Sequence, residues 1–362
     1  MTKLRLGMMG GGPGAFIGPV HGIAARLDDR FALSAGAFSR DAEKNRQAGE
    51  GYGLPADRVY ASWQEMLAAE KGRLDLVTIV TPNDTHFPIA KAALEAGFNV
   101  LCDKPATLNL EEALRLRDVV RASGKSYGLT YTYSGYPLVR EAKALIAEGR
   151  IGRVRKIVVE YSQGWLSQEV HNKQADWRAD PAQSGLGGCI ADIGVHAFHL
   201  SEFVSGAKVE ALSADLGIVV PGRRLDDDCN VLLRYSNGVR GVLVSSQIAA
   251  GDRNGLRLRV YGETGGIDWS QEQPNILTIN GHDQPSQILH AGAPYLTYGA
   301  RVPAGHPEGY LEAFATLYRD FADQISTGVP SLVPGIEDGV RGMAFIETAI
   351  RSSRNQNWEQ LL

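Results

Sequence analysis

Apolar runs and amphipathic stretches alternate through the first third of the chain. The runs predict strands at Leu4–Met9, Phe31–Phe38, Leu74–Thr81, Asn99–Cys102 and Ser126–Tyr131. Between them, amphipathic patterning predicts helices at Ala42–Tyr52, Gln64–Glu70, Thr85–Ala96 and Leu110–Ala122. The last two carry apolar residues at three- and four-residue spacing. Asp84 and Asn109 stand where N-caps belong, and Gly97 and Gly124 where helices stop. Strands and helices in alternation predict a parallel sheet with helices on both faces.

The pattern changes near residue 150. Val154–Tyr161, Val209–Val219, Asn230–Tyr235, Val239–Ile248 and Leu256–Tyr261 read as strands with little helix between them, which predicts an open, mostly antiparallel sheet. Ser236-Asn237-Gly238 predicts a hairpin turn. One helix, Ile193–Val204, interrupts the strands, and two more, Gly309–Ser326 and Ile336–Ser352, finish the chain. Gly281–Pro307, polar and rich in Gly and Pro, reads as a long loop. The expected division is α/β for 1–130, α+β for 131–330, and a C-terminal helix in 331–362 that packs back on the first domain.

Composition narrows the function classes. With 37 Lys+Arg against 41 Asp+Glu, the net charge is -4, which argues against a nucleic-acid groove. No run of about 18 apolar residues suggests a membrane span, and the N-terminus has no signal-peptide pattern. Three widely spaced cysteines, Cys102, Cys189 and Cys229, read as reduced thiols in a cytoplasmic protein. No further His or Cys shows metal spacing around the histidines, so no metal is expected.

Candidate chemistry sits at three places. Gly10-Gly11-Gly12-Pro13-Gly14-Ala15 follows the first strand and satisfies G-x-G-x-x-[GA]. Such a turn lets a pyrophosphate approach the backbone and the next helix N-terminus. After the second strand, Ser39-Arg40-Asp41 occupies the position where an acid would bind a ribose 2′-hydroxyl. A hydroxyl followed by a guanidinium accepts a 2′-phosphate, whereas Asp41 serves the hydroxyl or caps a helix. NAD and NADP both stay open. Lys104-Pro105 ends the fourth strand, and Asp192 and His196 are spaced i,i+4, on one face of a helix. Taken alone, the lysine reads as surface, Asp192 as a cap and His196 as a core residue. His199 reads as a packing neighbour. Trp165, Trp177 and Arg178 suit a sugar, through ring stacking and hydroxyl binding, and equally suit packing or a surface ion pair.

Taken together these elements are ordered. Gly18-Pro19-Val20-His21, Thr81-Pro82-Asn83-Asp84-Thr85-His86, Asp103-Lys104-Pro105 and Asp192-Ile193-Gly194-Val195-His196 follow one another along the chain. In this the sequence resembles the Gfo/Idh/MocA oxidoreductases over essentially its whole length. It departs from their pattern at Pro13–Ile17, which lengthens the glycine turn, and at Asp103, where Glu is commoner. Tyr131-Thr132-Tyr133 stands where many members have Asn.

The resemblance implies hydride transfer between a nicotinamide and a carbinol carbon of a sugar or polyol. It implies an NAD(P) site made of Gly10, Gly12, Phe16, Ile17, Ser39, Arg40, Thr81, Asn83, His86, Asp103 and Lys104. It implies Lys104, Asp192 and His196 as the acid–base set; Tyr133, where the chain departs from the family, and Trp165 and Arg178, read from their side-chain chemistry, are the further substrate-binding candidates. A homodimer or homotetramer is expected through the outer face of the second sheet. Two other functions fit the same residues: a glycosidase using bound NAD for a transient oxidation, and a dinucleotide-binding regulator without catalysis. Retention of Lys104, Asp192 and His196 argues against the regulator.

Overall fold

The computed structural model describes residues 3–170 and 180–362. The chain divides into two compact units, Met1–Thr132 with Leu311–Val340, and Tyr133–Tyr310 with Arg341–Leu362. The first cut falls close to the expected 130/131. The later division differs from the expected 131–330 and 331–362, for packing reasons given below.

The first unit holds a five-stranded parallel sheet in the order β2-β1-β3-β4-β5. The strands are β1 (Leu4–Gly10), β2 (Phe31–Ala37), β3 (Leu76–Val80), β4 (Asn99–Cys102) and β5 (Tyr127–Leu129). Every residue of β3 is buried, as in a strand covered on both faces. Helices α1 (Ile17–Leu27), α2 (Ala42–Gly51), α3 (Trp63–Ala69), α4 (His86–Glu95) and α5 (Leu110–Ser123) make the connections.

Asn109 caps α5 by accepting from the Glu112 amide at 2.9 Å, as expected. Asp84 does not cap α4. It lies in a 3₁₀ turn, Asn83–Thr85, so the helix starts later, at His86. The strand order reverses between β1 and β3, the switch point at which open α/β sheets bind ligands.

Helix α8 (Tyr310–Thr327) explains why most of its residues belong to this unit. Its Phe314 and Tyr318 pack edge-on against His21, and Tyr318 also against Phe31. The last long helix is α9 (Ile336–Asn355).

The second unit holds a nine-stranded sheet. Its strands are β6 (Val154–Ser162), β7 (Val209–Gly217), β8 (Asp228–Tyr235), β9 (Arg240–Ser246), β10 (Gly255–Gly262), β11 (Gly265–Ser270), β12 (Ile276–Gly281), β13 (Gln287–His290) and β14 (Glu359–Gln360). Their spatial order is β13-β12-β11-β10-β6-β9-β8-β7-β14. All pairs are antiparallel except β6 with β9, which run parallel. The hairpin between β8 and β9 turns at Asn237 and Gly238, both with positive φ.

Helices α6 (Pro137–Ala147) and α7 (Val195–Ser205) pack on the sheet, and α7 lies against β6, β9 and β10. In β8 buried Cys229, Val231, Leu233 and Tyr235 alternate with exposed Asn230, Leu232 and Arg234.

The C-terminal residues join this second unit through contacts that include a buried ion pair and a strand pairing. Arg341 donates to the buried Glu202 carboxylate at 2.6 and 2.8 Å, and β14 extends the sheet beside β7. Among the described residues no helix is long and apolar enough to cross a membrane.

Candidate active site

In the first unit the site begins at the glycine turn. Gly10, Gly11 and Gly14 all have positive φ. A Cβ on Gly11 would lie 2.9 Å from Gly18 Cα, and one on Gly12 would lie 2.8 Å from the Phe38 carbonyl oxygen. The close helix–turn contact therefore falls on Gly18, the second residue of α1, rather than on Ala15. The insertion Pro13–Ile17 is accommodated ahead of it. Phe16 is 61% exposed at the mouth of this turn, and Ile17 starts the helix.

The end of β2 is fixed by Asn45. Its Oδ1 accepts from the Phe38 and Ser39 amides at 2.8 and 3.3 Å, and its amide donates to Tyr60 O at 2.8 Å. Asp41 caps α2, accepting from the Lys44 amide at 2.9 Å. Its own amide donates to Ser39 Oγ at 3.1 Å. Arg40 is exposed.

His86 ties two strand ends together. Its Nδ1 lies 2.7 Å from Pro105 O and its Nε2 2.9 Å from Thr81 O, with the ring 1% exposed. Both nitrogens are thus engaged by the protein's own carbonyls. Thr85 Oγ1 reaches Thr81 Oγ1 at 2.7 Å, and Asn83 is buried in the same loop.

Asp103 is the polar centre of the β4 end. Its amide donates to Ile79 O at 2.9 Å and its Oδ1 accepts from Thr130 Oγ1 at 2.6 Å. His21 Nε2 stands 3.8 Å from the same oxygen. His21 Nδ1 lies 2.8 Å from Tyr318 OH, which lies 3.0 Å from Thr78 Oγ1. Burial raises the Asp103 carboxyl, but His21, the Thr130 hydroxyl and the Lys104 charge outweigh it and hold the pKa at about 2. Lys104 follows, half-buried, and its bond to Pro105 is cis.

In the second unit Asp192 lies in a π-helical turn, Ile190–Gly194, that runs directly into α7. Such turns recur at functional sites. Asp192 is therefore not a cap. Its Oδ2 accepts from Gln247 Nε2 at 2.9 Å, and Gln247 is 3% exposed. His196 is buried, its ring 4.9 Å from that of Tyr133 and steeply inclined to it at 80°. His199 stacks on Phe203 at 5.7 Å, as a packing residue does.

Around Tyr133 the hydrogen-bond directions follow from one donor. The Trp165 indole N–H can only donate, so it fixes Gln163 Oε1 as its acceptor at 3.0 Å. The Gln163 amide then donates to Asn254 Oδ1 at 2.8 Å. Tyr161 OH donates to that same oxygen at 2.7 Å. Its one hydrogen is thereby committed, so Tyr133 donates to Tyr161. Burial pushes both phenols up, so both stay neutral.

Gln247, Tyr161 and Asn254 were not legible as site residues. Nothing in their local sequence sets them apart, and only the sheet register brings them to this wall. Trp177 and Arg178 lie outside the described residues.

Residues 4–131 match the family model of an oxidoreductase family with an NAD-binding Rossmann fold, and residues 139–268 match the GFO/IDH/MocA C-terminal domain. The chain belongs to the GFO/IDH/MocA oxidoreductase family. It is 36% identical to the oxidoreductase YfiI of Bacillus subtilis, covering 97% of this chain and 94% of that one. It is 26% identical to levoglucosan dehydrogenase of Pseudarthrobacter phenanthrenivorans, covering 99% and 98%. Its fold matches an inositol dehydrogenase homolog complexed with NAD+ from Azotobacter vinelandii with a TM-score of 0.95 and 35% identity, covering 99% and 97%. This GFO/IDH/MocA chain is an NAD-binding oxidoreductase with a Rossmann unit and a mostly antiparallel second unit.

The Asp103 environment yields a pH prediction. With its folded pKa held at about 2, below the unfolded value of about 3.9, Asp103 stabilises the fold fully above that unfolded value. The contribution is lost as pH falls from about 4 towards about 2. Asp103→Asn should flatten the pH dependence of stability in that window, as read by urea unfolding from about pH 2 to 5. An unchanged slope would show that Asp103 titrates alike in both states.

Proposed function

We propose that this oxidoreductase uses NAD(P) to oxidise a secondary hydroxyl of a cyclic polyol, sugar or glycoside, or to reduce the corresponding ketone. The observation carrying this reading is Asp192, held by Gln247, on the helical segment that also carries His196. The glycine turn fits a dinucleotide, because the missing side chains of Gly11 and Gly12 let the turn close against Gly18 and the Phe38 carbonyl, the tight strand–turn–helix passage that such a cofactor site uses. When bound, the cofactor supplies the hydride acceptor. Gly10, Gly12, Phe16, Ile17, Thr81 and Asn83 border it in this reading. His86 and Asp103 serve the same site from behind, by fixing the loops that carry Thr81 and Lys104.

His196 takes the proton from the substrate hydroxyl at a ring nitrogen. The Lys104 ammonium stabilises the oxyanion that develops. Asp192 orients the imidazole or holds a neighbouring hydroxyl. Tyr133 and Trp165 border the substrate in this reading, and Arg178, outside the described residues, is assigned to it from the sequence. Because the Tyr133 hydrogen is committed to Tyr161, Tyr133 offers its ring and its oxygen, not a donor. Two related structures support a polyhydroxylated ring as substrate. One is the Azotobacter homolog complexed with NADH and myo-inositol, the other levoglucosan dehydrogenase complexed with NADH and levoglucosan.

Removing either acid–base group should cost about 10²–10⁴ in rate. Lys104→Ala and His196→Ala should lose most turnover and still bind dinucleotide by titration, and the double variant should lose less than the product of the two. His196→Ala should also remove the acidic limb of the pH–rate profile. Near-normal turnover with that limb intact would make His196 a structural residue.

Cofactor choice is assigned to Ser39 and Arg40, since the Asp41 carboxylate already caps α2. Arg40→Ala should weaken NADP binding far more than NAD binding. Equal effects on the two would remove Arg40 from this role.

The open face of the second sheet, where Leu232 is 51% exposed, is assigned to a homodimer or homotetramer contact. Light scattering should return a multiple of the 39.1 kDa chain mass. A monomer at micromolar concentration would contradict this.

A further inference from the structure

The residue that anchors the Asp192–His196 segment is Asp226, just ahead of β8. The start of a helical segment leaves backbone N–H groups without intrahelical acceptors. Here one residue accepts from three consecutive ones. Asp226 Oδ1 accepts from the Gly188 amide at 2.7 Å and Oδ2 from the Ile190 amide at 2.7 Å. The Asp226 carbonyl accepts from the Cys189 amide at 2.8 Å. The Cys229 thiol donates to Oδ2 at 3.1 Å. The approach is so close that a Cβ at Gly188 would run into the Asp226 carbonyl oxygen.

The next residue holds the other side of the same acid. Asp227 O accepts from the Gln247 amide at 2.9 Å, and the Gln247 side chain donates to Asp192 Oδ2 at 2.9 Å. Residues 226 and 227 thus hold both the backbone that leads into Asp192 and the backbone of Gln247, whose side chain donates to the Asp192 carboxylate.

We propose that Asp226 is a positioning residue for the oxidoreductase reaction, setting the placement of Asp192 and His196 from outside the site. The inference rests on the acid–base reading of those two residues. A carboxylate with both oxygens committed to backbone amides works as a rigid mount. A displacement of about 1 Å at a reacting group costs up to about 10²-fold in rate.

The test compares Asp226→Ala, Asp226→Asn and His196→Ala in the full chain with NAD+ and myo-inositol. In parallel, the pH titration of the His196 ring is followed by NMR in the two Asp226 variants. Asp226→Asn keeps the volume and one acceptor oxygen, so it keeps the test open if the alanine variant fails to fold.

The expected result is a fall in kcat of about 10²-fold for Asp226→Ala and a smaller fall for Asp226→Asn. KM should move less than kcat, and NAD+ affinity should stay unchanged. The His196 titration should be displaced, and the amides of Gly188 and Ile190 should exchange faster than in the parent. A merely structural role would lower the melting temperature and leave kcat per folded molecule and the His196 titration unmoved. Loss of turnover in His196→Ala alone, with an unmoved titration in folded Asp226→Asn, overturns the positioning role. Unaltered turnover in His196→Ala overturns the acid–base reading and this inference with it.

Discussion

Buried backbone groups must find partners, and that constraint places the candidate residues in both units. Parallel strands end with free amides and carbonyls just where a cofactor approaches, and a helix start adds three or four more donors. In the first unit Asn45 takes the amides at the end of β2. His86 bridges the carbonyls after β3 and β4, and Asp103 joins β4 to Thr130. In the second unit Asp226 takes three amides at once. Asn45, His86 and Asp103 each lie beside a residue proposed to act on cofactor or substrate, and Asp226 mounts the segment that carries Asp192.

The two units solve a common problem with different polarity. Asp103 keeps its charge because His21, Thr130 and Lys104 outweigh the effect of burial. The Tyr133–Tyr161–Asn254 wall stays neutral, and its hydrogen-bond directions are set from the Trp165 indole inward. One unit thus offers a fixed charge beside a lysine. The other offers a neutral, directional wall beside a histidine.

Local signals carried much of this into the sequence. The strand and helix alternation of the first unit was legible because covered parallel strands are short apolar runs and their helices are amphipathic. Asn99–Cys102 coincides with β4, and Asn109 caps as expected. Less local features were hidden. Helix α6 was not anticipated, and β13 lies inside the expected loop Gly281–Pro307, because an edge strand of four residues has too little patterning. The parallel β6–β9 pair joins strands far apart in sequence. The π-turn at Ile190–Gly194 moves the start of its helical segment ahead of the expected Ile193. Lys104, Asp192 and His196 stand out as candidates by their order along the chain, whereas Gln247, Asn254 and Asp226 are ordinary polar residues until the fold brings them beside Asp192, Tyr133 and the Gly188–Ile190 backbone.

A panel of cyclic polyols and sugars with NAD+ and with NADP+, read by absorbance of the reduced nicotinamide, tests the central claim most directly. The expected result is reduced cofactor formed in step with loss of one secondary hydroxyl from a polyhydroxylated ring. Dinucleotide binding without reduction by any member of the panel, or release of free sugar with no net reduced cofactor, would contradict it.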